Sequence, residues 1–76
     1  MDKRIKNVLA SILNMKVEDI EDIASPETIE AWDSLKHMNI VLALEEEFSV
    51  QFEDDEIVDM MSFEVIRSIV KKKLND

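Results

Sequence analysis

Ile5, Val8, Leu9, Ile12 and Leu13 recur at the i, i+3, i+4, i+7, i+8 spacing of one helix face. The spacing predicts a first amphipathic helix over about residues 3–15, with Asp2 as its N-cap. The period then fails. Residues 16–33 mix many acids with Pro26 and scattered Ile20, Ile23 and Ile29, which predicts a long connection tacked to a core by its isoleucines. Met15, Val17 and Ile20 allow a ragged helical turn at its start, and Ser25-Pro26 allows a short turn with serine as cap and proline at the first position. Asp33 reads as the N-cap of a second helix, about 34–48. Its apolar residues (Leu35, Met38, Ile40, Val41, Leu42, Leu44, Phe48) cover well over half the circumference, leaving a narrow polar stripe of Lys36, Asn39, Ala43, Glu46 and Glu47. Such a helix is expected at the centre of the fold, with the polar stripe as its only outward face.

Glu53 or Asp54 can cap a short third helix, about 54–60, with Ile57, Val58, Met60 and Met61 as its contacts. Ser62 can cap a fourth, about 63–74, buried through Phe63, Ile66, Ile69, Val70 and Leu74. The expected architecture is a single all-α domain over residues 1–76: a small four-helix bundle with three longer helices, one short helix and a long first loop. The chain has no glycine and one proline, which disfavours tight hairpins and agrees with helices. It has no cysteine, so disulfides and thiolate metal sites are excluded as supports for so small a core.

Charge changes the picture more by its placement than by its sum. Residues 17–64 carry −15, whereas residues 1–16 and 65–76 each carry +3, for a net charge of −9. An acidic middle repels nucleic acid and anionic lipid and attracts proteins with basic patches. Neither nucleic acid nor membrane is therefore an expected partner. No apolar run is long enough to span a bilayer, no secretory leader is visible, and a cytoplasmic monomer is expected.

Candidate chemistry is sparse. Ser34 has His37 three residues on, but there is no glycine-flanked nucleophile turn and no third group to orient the histidine. His37 shares a wheel face with Val41, Leu44 and Phe48 and is expected as a partly covered surface histidine, so the chain is not read as an enzyme. The acids Glu53, Asp54, Asp55, Glu56 and Asp59 lack the alternation and turn glycine of a calcium loop, and no dedicated metal site is expected. Met38, Met60 and Met61 are expected in the core. What remains is a hydroxyl at a helix entrance, where free backbone N–H groups and the helix dipole favour an attached phosphate.

Asp33-Ser34-Leu35, followed by the run Ile40 to Phe48 (IVLALEEEF), resembles the acyl carrier proteins. The segment WDSLKHMNIVLALEEEF matches their second helix, and the four-helix pattern extends the likeness over nearly the whole chain. The resemblance implies a 4′-phosphopantetheine arm, taken from coenzyme A by a phosphopantetheinyl transferase and attached to Ser34, with Asp33 and Leu35 as flanking recognition residues. It implies cargo held as a thioester for fatty-acid, polyketide or other specialised biosynthesis. Acyl-loading and acyl-processing enzymes with basic patches are the implied partners, docking on Lys36, Asn39, Glu46, Glu47, Asp54 and Glu56. Carriers of primary fatty-acid synthesis usually have a small residue before the motif and an acid after it, where this chain has Trp32 and Lys36, and Asn39 replaces a further common acid. These departures look more like a specialised, stand-alone carrier, and Trp32 is also expected to anchor the long loop. The alternatives are an aminoacyl or peptidyl carrier and an unmodified acidic helical adaptor.

Overall fold

The computed structural model describes residues 2–75. Four α-helices follow in order: α1 (Asp2–Leu13), α2 (Ser34–Phe48), α3 (Asp54–Asp59) and α4 (Phe63–Asn75), with a 3-10 turn at Val17–Asp19. The bundle of three longer helices and one short helix is the expected one.

The core is one cluster. Ile5, Leu9 and Leu13 from α1, Ile40, Val41 and Leu44 from α2, Met60 after α3, and Phe63, Ile66 and Val70 from α4 are all essentially removed from solvent. α1 packs on both α2 and α4. The first loop contributes Ile20, Ala24, Ile29 and Trp32, and the Phe63 N–H donates to the Ala24 carbonyl at 2.9 Å, tying the loop to the entrance of α4. Ser25 caps the turn that Pro26 opens, as expected: its Oγ accepts from the Glu27 N–H, and the Thr28 and Ile29 N–H groups donate to its carbonyl.

α1 is shorter than its spacing suggested. Asn14 takes a left-handed conformation (φ 59°) and the Met15 N–H donates back to Ala10, which closes the helix at Leu13. Asparagine is the residue after glycine that tolerates this geometry best. At the other end, Asp2 lies inside the first turn rather than capping it, and its carboxylate accepts from Arg67 at 3.1 Å. α2 ends by the same device: Ser49 is left-handed (φ 55°) and the Val50 N–H donates to Glu45. Serine pays for that conformation where glycine does not. Ser49→Gly is therefore expected to raise unfolding stability by about 1 kcal/mol, read as a higher urea midpoint at unchanged slope; a fall in the midpoint would contradict it.

Several apolar positions lie outside the core that was expected to bury them. Ile23 is 66% exposed, so the loop is tacked down by Ile20 and Ile29 without it. Val58, Met61 and Leu74 are exposed, and of the three methionines expected inside only Met60 is buried. On α2 the outward face is much wider than the polar stripe, because Leu35, Met38 and Leu42 also face solvent. Four packed helices in so short a chain enclose only one side of α2, which takes Ile40, Val41, Leu44 and Phe48.

Glu53 caps α3 as one of the two expected candidates, through a reciprocal box with Glu56: each side chain accepts from the other residue's backbone. The Glu53 N–H bond and the Lys73 ammonium at 2.8 Å both hold the Glu56 carboxyl below its ordinary range, the backbone bond contributing most. A depressed carboxyl contributes stability above its unfolded pKa, and that contribution disappears as pH falls through the folded one. Glu56→Gln is thus expected to be less stable than the parent at pH 7, by a small amount for so exposed a pair, and to converge with it as pH falls below about 4.5, the ordinary glutamate value. Urea titrations of both forms at pH 3, 4, 5 and 7 check this; parallel curves would remove Glu56 from the acid response.

Candidate functional site

The site is built at the entrance of α2. Asp33 is extended (φ −101°, ψ −175°), and its Oδ1 accepts from the Lys36 N–H at 2.8 Å. This is the N-cap read from the sequence. It satisfies one of the free donors of the first turn and fixes where the helix begins. Ser34 is the first helical residue and is exposed. Leu35 beside it is 70% exposed. The Ser34 hydroxyl thus stands at a helix entrance, reachable from solvent, with an apolar neighbour.

A cavity of about 600 Å³ opens next to Ser34, between the end of the first loop, α2 and α3. Its lining is largely apolar, with Trp32, Met38, Ile57 and Met61 among its walls and Asp33 and Ser34 at its edge. Trp32 is buried, as a loop anchor should be. Its indole N–H donates to His37 Nδ1 at 3.1 Å, and the two rings stack with centroids 6.2 Å apart. With Nδ1 accepting, His37 carries its proton on Nε2 and donates it to the Ile57 carbonyl at 2.9 Å. His37 is therefore not the partly covered surface histidine expected; at 8% exposure it is a buried link. Its wheel face with Val41, Leu44 and Phe48 was the available signal, since those residues are all buried.

This arrangement also decides the chemistry of the Ser34–His37 pair. Both ring nitrogens are committed elsewhere, so the imidazole is not placed to take a proton from the Ser34 hydroxyl. His37 is therefore not the group that would activate the Ser34 hydroxyl.

The remaining docking candidates are spread over several surfaces. Lys36 is half-buried and Asn39 exposed on α2. Glu46 and Glu47 line a second groove, of about 440 Å³, on the side where α2 meets α1. Glu47 is paired there with Arg4 at 3.0 Å, and the same guanidinium lies 4.5 Å over the Phe48 ring. Asp54 is exposed at the start of α3, and Glu56 is held by Glu53 and Lys73. Glu45, not singled out from the sequence, serves the fold instead. Its Oε2 accepts from the Phe52 N–H at 2.9 Å and fastens the α2–α3 connection. The exposed apolar set Leu35, Met38, Leu42, Val58 and Met61 was also missed. The signal was the excess of apolar positions on α2, more than one buried face can use.

Among the described residues no three His, Cys, Asp or Glu side chains converge as a metal site. Among them, too, no helix is long and apolar enough to cross a membrane.

No protein-family model matches the chain. The acyl carrier protein of Buchnera aphidicola subsp. Schizaphis graminum (strain Sg) is 38% identical to it over 56 residues, a stretch covering 74% of this chain and 71% of that protein. With an all-α bundle of three longer helices and one short one, and with likeness over most of both sequences, this chain belongs to the acyl carrier protein family, whose role is to carry rather than to catalyse.

Proposed function

We propose that this protein carries an acyl group as a thioester on a 4′-phosphopantetheine arm esterified to Ser34, and delivers it to partner enzymes. The observation that supports this most is an exposed hydroxyl at the first residue of α2, at the edge of a largely apolar cavity of about 600 Å³. The residues present fit such a group. Ser34 offers the oxygen, the opening turn of α2 offers its dipole to the phosphate, and Lys36 adds a cation two residues on. When attached, the arm supplies a terminal thiol that holds cargo as a thioester. In loading, Ser34 Oγ would attack the phosphorus that bears the pantetheine of coenzyme A; the pyrophosphate bond breaks, 3′,5′-ADP leaves, and the hydroxyl proton passes to a base of the transferase. The chain's own contribution is to present the hydroxyl, shelter an apolar chain and raise the cargo's effective concentration at a docked enzyme.

Docking is best supported on the face formed by Leu35, Met38 and Leu42 of α2 with Val58 and Met61 near α3. Asn39 on α2 and Asp54 on α3 are exposed polar groups on the same elements, Glu46 lies toward the α1 groove, and Glu47 and Glu56 already serve intramolecular ion pairs. An apolar centre with acidic groups on the same elements suits loading and processing enzymes that combine a greasy contact with basic residues. Trp32 before the motif and Lys36 after it favour a specialised carrier over one of primary fatty-acid synthesis. An aminoacyl cargo is the second reading; the apolar cavity favours an acyl chain over it.

Intact mass spectrometry tests the central claim. Incubation with a phosphopantetheinyl transferase, magnesium and coenzyme A should add the mass of one arm, and no more, to the chain. A protein left unmodified by transferases that load other carriers would reduce the reading to an acidic helical adaptor. Lys36→Glu should tighten binding to an enzyme that docks fatty-acid carriers, with the gain shrinking as salt rises. An affinity unchanged across a salt series would remove Lys36 from the interface.

A further inference from the structure

α3 has only six residues, too few to hold a helix by local bonds, so its position depends on what fastens it from outside. The fastening on the Ser34 side is the chain of two hydrogen bonds from Trp32 through His37 to the Ile57 carbonyl. It joins three separate segments: the end of the first loop, the first turns of α2, and the last turn of α3. All three residues line the cavity beside Ser34. We propose that His37 is the positioning residue of this site: with Trp32 it clasps α3 to the entrance of α2 and so sets the width of the cavity. That the cavity shelters cargo rests on the carrier reading above; the clasp itself does not.

The clasp works with one protonation state only. Nδ1 has to offer its lone pair to the indole N–H while Nε2–H reaches Ile57. A second proton, on Nδ1, sets one N–H against another, and the Trp32 bond must break. Both partners are buried, so the freed indole N–H has no water to turn to without the loop or α3 moving. The charged side chains within a few residues of the ring and its two partners are Glu30 in the loop, Asp33 at the cap of α2, Lys36 on α2, and Asp54, Asp55, Glu56 and Asp59 on α3; Glu45, Glu46 and Glu47 lie two turns or more further along α2. Of these, Asp33 lines the same cavity and Glu56 is tied to Lys73.

The test uses the full, unmodified chain and follows it by NMR from pH 8 to pH 5, in parallel with His37→Leu, which fills the space and cannot titrate. The imidazole nitrogens report the tautomer, and hydrogen exchange, corrected for its intrinsic pH dependence, reports the Trp32 indole and the amides of α3. At pH 8 the ring should be the neutral Nε2–H tautomer with a protected indole proton. As the ring takes its second proton, the indole and the α3 amides should exchange about tenfold faster at the same midpoint, with α1 and α4 unchanged. His37→Leu should show no such midpoint. The proposal fails if the ring protonates without loosening α3, or if the α3 amides of His37→Leu at pH 8 are as well protected as those of the parent. It fails equally if α1 opens together with α3, or if His37→Leu follows the same curve. Should His37→Leu not fold, the wild-type curves decide alone, because unequal midpoints for ring and α3 refute the clasp. Arm loading by mass is a separate readout, so a failed clasp and a failed carrier are distinguishable.

Discussion

Replacing Ser34 with alanine is expected to abolish arm attachment completely while leaving the fold as it is. The two halves of that result have separate causes. Ser34 is exposed at the first position of α2 and lines the cavity only at its edge, so losing its hydroxyl opens no hole in the core. Alanine is the best helix former, and the cap that starts the helix belongs to Asp33. Stability should therefore stay within about 0.5 kcal/mol of the parent. The chemistry, by contrast, has no substitute, because an ester needs an oxygen and the neighbours Asp33 and Leu35 offer no hydroxyl. Asp33→Ala provides the contrast. It removes the bond to the Lys36 N–H and should cost about 1 kcal/mol, with loading slowed rather than lost. Intact mass after transferase treatment, together with urea midpoints, separates the two variants. If the Ser34→Ala protein still gained one arm, the attachment site would be elsewhere and the proposed function would have to be rebuilt around another residue.

The second large effect concerns the fold. Phe63→Ala should cost about 3–5 kcal/mol. The Phe63 ring is fully buried at the start of α4. Lys6 and Arg67 place their charges 5.0 and 5.4 Å from its centroid, so the ring also seats two cations that reach α1 and the first loop. Lys6 goes on to pair with Asp22 at 3.0 Å, which holds that carboxyl below its ordinary range. A domain of this length has about 4–11 kcal/mol in total, so one truncation removes a large part of it. The backbone bond from Phe63 to Ala24 survives the substitution, which confines the loss to packing and ring contacts. Urea unfolding at pH 7 gives the number. Leu42→Ala, at a 58% exposed position on α2, is the control and should change stability by less than about 0.5 kcal/mol. A Phe63→Ala loss below about 1 kcal/mol would show that α4 is held by something other than this ring.

Local signals in the sequence determined the helices. The 3.6-residue period, Asp33 as a cap and the choice of Glu53 or Asp54 as the next one are properties of neighbouring residues, so they could be read without knowing what packs where. α2 came out at Ser34–Phe48, as its pattern indicated. That Ser34 opens α2 was legible for the same reason, since a cap fixes which residue begins a helix, whereas its role as an attachment point came from the family resemblance alone. What the sequence did not determine was the direction in which each apolar residue faces. Ile20 and Ile23 look alike along the chain, yet one is buried and the other is 66% exposed. Leu35, Met38 and Leu42 looked like core until the other helices had taken their places on the opposite side of α2. Tertiary structure alone decided the Trp32–His37–Ile57 link, because Ile57 is twenty residues beyond His37 and no local rule brings them together. Burial and long-range hydrogen bonds depend on which surfaces meet, and that is settled only when the whole chain has packed.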